Sequence, residues 1–382
     1  MLFDDELEKL KKSGLYRTLK NIKRIANSKI IINNRELIDF SSNDYLGFSA
    51  HPQVIENCIK CINTYGIGAG AARLMSGNNE IYCILENLLK NLFGKERALI
   101  FGSGFLTNST VIPAITNKND LIISDKLAHS SIIHGIKSSD AQHHRFKHND
   151  MNSLESILKK YRQNFKNCWI ITESIFSMDG DICPLNDLIY LKEKYNCFLY
   201  LDESHSFGLF ADNGAGLAKQ LNCADKIEII MATFSKAVGS YGGFIVSSHS
   251  ICEYLINKAR GFIFSTALPP VTLIATITSI KLFSEERERI INFNKLVQYT
   301  HALLKSKIIN TPSASQIIPI IIGDAQKTIQ IAESLISNGF YVLAIRPPTV
   351  PQNTARIRIS INYHHSKSAI ENLIEKMIEL LY

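Results

Sequence analysis

The sequence predicts an α/β protein: a mainly parallel sheet covered by helices, followed by a smaller α+β unit. Three observations carry this. Between residues 98 and 246, short apolar runs alternate with helical stretches, the pattern that a parallel sheet with crossover helices imposes. Reactive side chains sit immediately after several of those runs, and open α/β sheets bind ligands beyond the carboxyl ends of their strands. After about residue 270 the alternation gives way to a long helical region and a second, shorter set of strands and helices.

Residues 1–45 read as an N-terminal arm, with an amphipathic helix, a hairpin-like stretch over Lys29–Phe40 and the turn-rich SSNDYLGFSAHP. Residues 46–275 form the large domain. Its clearest helix is Asn79–Phe93, where Ile81, Ile84, Leu85, Leu88, Leu89 and Leu92 keep helical spacing and Gly94 supplies the stop. Strands are expected at Ala98–Phe101, Leu121–Ser124, Trp169–Thr172, Phe198–Leu201, Ile227–Ala232 and Gly243–Val246, with helices such as Met151–Arg162 and Leu185–Lys194 between them. Residues 276–382 form the linking helix and the small α+β domain. The helical region there begins near Thr272 and runs to Lys305. A strand (Ile317–Ile322), a helix (Ala325–Asn338), two strands (Tyr341–Ala344 and Arg356–Ile361) and a closing helix (Ser366–Leu381) follow.

Composition narrows the function. At 382 residues, 46% hydrophobic and 20% charged, the chain has material for a large core. No apolar run approaches the ~20 residues that span a bilayer, and the amino terminus lacks a secretory signal, so a cytoplasmic protein without a membrane is expected. The net charge of +7 is spread without a clustered basic face, which argues against nucleic acid. Scattered charge of this kind is ordinarily a solvated surface; as a function it would suit a polyanionic partner such as a nucleotide-tailed or phosphopantetheine-bearing carrier. The CxxC at Cys58 and Cys61 has no second ligand pair, so no metal is expected. The adjacent pairs His143–His144 and His364–His365 point to opposite faces of a strand and are read as structural or surface residues.

The strand ends hold the chemistry. Ala98–Phe101 runs into Gly102-Ser103-Gly104-Phe105, small residues opening a helix, where backbone N–H groups bind an anion, usually a phosphate. It fails as a dinucleotide fingerprint because Thr107 stands where a third glycine or alanine belongs. Asp202 and Lys236 lie 34 positions apart, each just after a strand of successive βα units. A lone lysine is most often a surface group and a lone aspartate a helix cap. Together beside a phosphate turn, a Schiff-base lysine and an acid for a pyridine nitrogen suit pyridoxal phosphate.

These motifs have company: SNDYLGF (Ser42–Phe48), RLMSGN (Arg73–Asn78), SMDGD (Ser177–Asp181), LDESHSFG (Leu201–Gly208) and TFSKAVGSYGG (Thr233–Gly243). The chain thereby resembles the α-oxoamine synthases, fold-type I pyridoxal-phosphate transferases with a mainly parallel central sheet, which condense an amino acid with an acyl thioester. The resemblance runs from Ser41 to the last helix. It implies that Lys236 holds the cofactor and moves the Cα proton, with Asp202 on the pyridinium nitrogen. His129 would stack on the ring, His205 and Ser177 would serve the ring hydroxyl, and Gly104, Phe105 and Thr233 the phosphate end. Thr266 would reach the partner subunit's cofactor across a homodimer with active sites at its interface. Arg358 and Asn43 would hold the amino-acid carboxylate, with Arg17, Thr349 and His129 also contacting substrate. AIRPPTVPQNTARIRIS (Ala344–Ser360) points within the family to L-alanine and a pimeloyl thioester, on coenzyme A or an acyl carrier protein.

Arg356 and Arg358 share one strand face, and one of the two is expected to be solvated. Departures from the family pattern include Ala71 and Ala72 in a glycine-rich stretch, Glu203 and Ser206 in DESHS, and Ser235 and Ala237 beside the lysine. Glycine acetyltransfer and long-chain aminoketone synthesis are the alternatives, with a nicotinamide dehydrogenase the more remote one.

Overall fold

The structure, a computed structural model, describes residues 2–381. The chain divides into two compact units, one formed by Met1–Gly47, Ser177–Asp181 and Ile291–Tyr382 and the other by Phe48–Phe176 and Ile182–Ile290.

The second unit is built on a seven-stranded sheet. In spatial order its strands are Arg97–Phe101, Gly243–Ser247, Ile229–Thr233, Phe198–Asp202, Asn167–Glu173, Asp120–Asp125 and Gln142–Phe146. Gly243–Ser247 runs antiparallel to both neighbours, and the remaining pairings are parallel. Six of these strands match the expected apolar runs to within two residues. Gln142–Phe146 escapes the pattern because it is an edge strand with a single buried residue, Phe146. Val111 and Ile112 of the helix Gly104–Ile115 and Ile132 and Ile136 of the helix Ser130–Lys137 pack with Ile122 and Ile171 in one core.

The helix Glu80–Phe93 starts where expected, with the Asn79 side chain accepting the Ile81 N–H and Gly94 ending it in the left-handed region (φ 70°). Its buried face is Ile81, Tyr82, Leu85, Leu89 and Phe93, so Ile84, half exposed, lies outside the expected stripe. The long helical region is two helices, Pro270–Glu285 and Arg287–Ser306. The break falls at Glu286 (φ −113°, ψ 47°), whose carboxylate takes His51 Nε2 at 2.8 Å and Arg289 Nε at 2.6 Å.

The first unit has two small sheets. Lys23–Ile25, Lys29–Ile32 and Arg35–Asp39 form an antiparallel meander, and Phe340–Tyr341 adds to it in parallel. Ile317–Gly323, Ala355–Ser360 and Leu343–Ile345 form the other, all antiparallel. The single strand expected at Tyr341–Ala344 is therefore divided around buried Val342 and serves both sheets. The loop Ser177–Asp181 lies against Ile317–Gly323. Gly180 (φ 69°) has no room for a Cβ, which would overlap the Ile317 carbonyl oxygen. Among the described residues, no helix is long and apolar enough to cross a membrane.

Candidate active site

In the second unit, the carboxyl ends of four strands supply the reactive groups. Asp202 ends Phe198–Asp202 and is 4% exposed. A buried carboxylate needs donors. Asp202 Oδ2 accepts Asn108 Nδ2 at 2.8 Å, and Oδ1 accepts the Ser204 N–H at 2.9 Å. Asn108 also donates to Ser131 Oγ at 3.0 Å and accepts the Tyr200 hydroxyl at 2.7 Å. Ser131 Oγ in turn lies 2.7 Å from His129 Nδ1, so one buried amide links the acid to the imidazole.

His129 caps the helix Ser130–Lys137, its Nδ1 accepting the Ser131 N–H at 3.2 Å. Its own N–H donates to Glu173 Oε1 at 2.7 Å. The residue stays open to solvent along part of its surface. Protein packed around the ring, and then the Lys236 ammonium, lower its pKa against the opposing pull of Asp202. Lys236 follows the strand Ile229–Thr233 by three residues and is half-buried. Its charge acts on both His129 and Glu173. His205, in the loop after Asp202, is also buried.

The chain's expected phosphate end is a helix start. Ser103 caps Gly104–Ile115 and its Oγ accepts the Leu106 N–H at 3.1 Å. The N–H groups of Gly104 and Phe105 belong to the first turn, which has no intrahelical acceptors and attracts anions. A Cβ on Gly104 would stand 3.2 Å from Thr233 Cβ and 3.3 Å from Thr233 Oγ1, so the glycine keeps a cradle open beside that hydroxyl. An N-terminal cradle, a donor-held acid, a lysine and a flat imidazole are the set that pyridoxal phosphate requires, and the residues fit it. Thr266 lies apart, exposed, and its backbone bridges Ala72.

In the first unit, Arg358, Asn43 and Ser177 meet. Arg358 donates through Nε to the Ser177 carbonyl oxygen at 2.7 Å, through Nη1 to Ser360 Oγ at 2.6 Å and through Nη2 to Asn43 Oδ1 at 3.1 Å. Arg356 corrects the expectation of a solvated arginine. Both guanidinium-bearing residues are buried, at 3% and 6% exposed, because the Ser177–Asp181 loop covers their strand face. Arg356 Nη1 pairs with Asp179 Oδ1 at 2.6 Å and reaches the Met178 carbonyl at 3.2 Å. Arg17 donates to the Pro347 carbonyl at 3.2 Å and approaches Thr349 Oγ1 at 3.5 Å.

Asn108 and Glu173 were not among the expected site residues. Asn108 stands among other polar residues of its helix, Thr107, Ser109 and Thr110, so nothing in the local sequence sets it apart. Glu173 is an acid at the end of a buried strand, the same signal that singled out Asp202.

Fold and site together define a fold-type I pyridoxal-phosphate transferase. A family profile described as aminotransferase class I and II matches residues 35–377. An 8-amino-7-oxononanoate synthase from Geobacter sulfurreducens is 36% identical over 378 residues, covering 98% of this chain and 96% of that one. One from Treponema denticola is 38% identical over 371 residues, covering 97% and 94%. Among solved structures, a serine palmitoyltransferase from S. paucimobilis carrying a pyridoxal-phosphate adduct superposes with a TM-score of 0.92 at 26% identity, covering 99% of this chain and 97% of that one. The chain belongs to the class I and II aminotransferase family, on its 8-amino-7-oxononanoate synthase branch.

Proposed function

We propose that this enzyme condenses L-alanine with a pimeloyl thioester, on coenzyme A or an acyl carrier protein, to give 8-amino-7-oxononanoate, carbon dioxide and the free carrier in biotin biosynthesis. The observation that carries the reading is that Asp202 is joined through Asn108 and Ser131 to His129, with Lys236 just past the end of the adjacent parallel strand. Pyridoxal phosphate, when bound, supplies an electron sink for charge developing at the amino-acid Cα.

The residues that would hold it are Lys236, Asp202 at the pyridine nitrogen, His129 on the ring face, His205 and Ser177 near the ring hydroxyl, and Gly104, Phe105 and Thr233 at the phosphate. Arg358 and Asn43 bind the alanine carboxylate and so turn the Cα–H bond toward the electron sink. Lys236, released from the cofactor, takes the Cα proton. After carbon–carbon bond formation and loss of carbon dioxide, it returns a proton to the same carbon.

A cavity of about 560 Å³ in the first unit supports the acyl donor. Its walls include Ile329, Ile336, Val342 and Ile345, with Arg17, Arg346 and one acid, Glu333. Burial, and then the like charge of Arg17, lower the Arg346 pKa. An apolar chain ending in a carboxylate matches such a lining better than a plain fatty acyl chain does.

Exposed Ile55, Ile59, Ile67, Leu74, Met75 and Phe264 on the second unit support a homodimer in which Thr266 serves the partner's site. Cytoplasmic residence completes the reading. The test is product mass after incubating the holoenzyme with alanine or glycine and with pimeloyl-, octanoyl- or acetyl-coenzyme A. Alanine with pimeloyl-coenzyme A is expected to give the aminoketone, and Lys236→Ala is expected to abolish it. Turnover near wild type in that variant overturns the role of the lysine.

A further inference from the structure

Glu173 and Asp202 face each other across adjacent parallel strands. The register pairs them directly, each at the carboxyl end of its strand, and they are 3% and 4% exposed. Two carboxylates so placed repel strongly if both ionise, and such a pair shares its protons.

The surroundings are unequal. Asp202 accepts at both oxygens, from Asn108 Nδ2 and the Ser204 N–H, which solvates an anion there. Glu173 Oε1 accepts the His129 N–H at 2.7 Å. The other charges acting on Glu173 are Lys236, which favours its anion, and Asp125, which opposes it. Asp125 is itself held by His148 Nδ1 at 2.9 Å and by the N–H groups of Leu127 and Asn149. Burial first, and then the Asp202 charge, push the Glu173 carboxyl well above the usual carboxylate range.

We propose that Glu173 is a positioning residue that keeps its proton: the neutral carboxyl group anchors the main chain of His129, and Asp202 alone carries the negative charge of the pair. The arrangement has a use. A second anion beside Lys236 would hold protons on nitrogen, and an amine must shed its proton before it attacks a carbonyl. The neutral group keeps His129 in place without that cost.

The test uses holoenzyme carrying carboxyl-labelled glutamate, with Glu173→Gln as comparison. At neutral pH, infrared spectra of wild type minus variant should show one carboxylic-acid carbonyl band, and a carboxylate band in its place overturns the proposal. The second readout is the pH titration of the visible band of the lysine-bound cofactor. Its midpoint should stay within about half a pH unit in Glu173→Gln, since a neutral group replaces a neutral group. A larger fall means that an anion was lost and overturns the proposal. If the variant does not fold, the wild-type acid band should still be present at neutral pH, and its absence there is the contrary result. The inference rests on the cofactor reading only for the visible band. A protein with no such band refutes that reading, while the infrared band still decides the state of Glu173.

Discussion

Asn108 Nδ2 donates to Asp202 Oδ2 at 2.8 Å, joining the middle of a helix to the end of a strand 94 residues further on. Through Ser131 Oγ the same amide group supports the His129 ring. Asn108→Ala removes a charge-assisted hydrogen bond in a buried site, an interaction of about 1.5–3 kcal/mol. We expect kcat to fall by about 10- to 100-fold, with cofactor affinity falling too. Steady-state kinetics and cofactor dissociation check this. A variant with a lowered Tm and an unchanged kcat would show Asn108 to be structural only.

Arg17 and Arg346 tie down the arm and the segment after Ile345 through main-chain carbonyls. Arg17 takes Pro347 and Arg346 takes Gly14 and Tyr16. An anion between them would relieve their mutual repulsion. Arg346→Met should raise KM for pimeloyl-coenzyme A by about tenfold, equal to about 1.4 kcal/mol, and leave KM for octanoyl-coenzyme A within about twofold of wild type. Equal losses for both donors would remove the terminal carboxylate from the account.

The separate strand ends were legible because short continuous apolar runs mark strands buried on both faces, and the run stops where polar residues begin. Asp202 is the last residue of one such strand and Lys236 stands three residues past the end of its neighbour. What they touch was not legible. Asn108 lies in a run of polar helix residues, Thr107 to Thr110, and its partner comes from a remote strand. The strand Gln142–Phe146 was missed because its residues are mostly polar at an open edge, where no second face demands apolar side chains. Alternation placed Arg356 and Arg358 on one face, yet only the fold shows that the loop Ser177–Asp181 covers that face and supplies a carboxylate for one and a carbonyl for the other.

That cover predicts a stability effect. Arg356 is buried against Asp179, whose side chain is 18% exposed, and removing the partner of a buried charge typically costs about 3–5 kcal/mol when the charge is left uncompensated. Asp179→Ala should therefore lower the urea midpoint of the holoenzyme strongly, whereas the double variant Asp179→Ala with Arg356→Met should recover part of the loss. No recovery in the double variant would mean that the loop is held by its main chain, through Gly180 and the Ser313 and Ala314 contacts, and not by the ion pair.

His365 sets a pH limit on the first unit. Its ring lies against Phe40, with centroids 3.9 Å apart. Nδ1 accepts the Asn362 N–H and Nε2 donates to the Asp39 carbonyl oxygen, each at 3.1 Å, so the geometry demands the neutral imidazole. Burial foremost, and the neighbouring His364 as well, push its pKa down to about 4, against the opposing effect of the Asp39 carbonyl. The unfolded chain binds this proton near pH 6.5. Above that pH neither state is protonated and the group has no effect on stability. As pH falls below about 6.5 the unfolded state gains a proton that the native state refuses, so stability drops until the native ring also titrates near pH 4. Between pH 7 and pH 5 the loss should be about 2 kcal/mol. Urea unfolding at both values, for wild type and for His365→Gln, isolates it. The variant is less stable at pH 7 but should show a pH dependence smaller by about that amount, and equal pH dependence in the two proteins would place the acid sensitivity elsewhere.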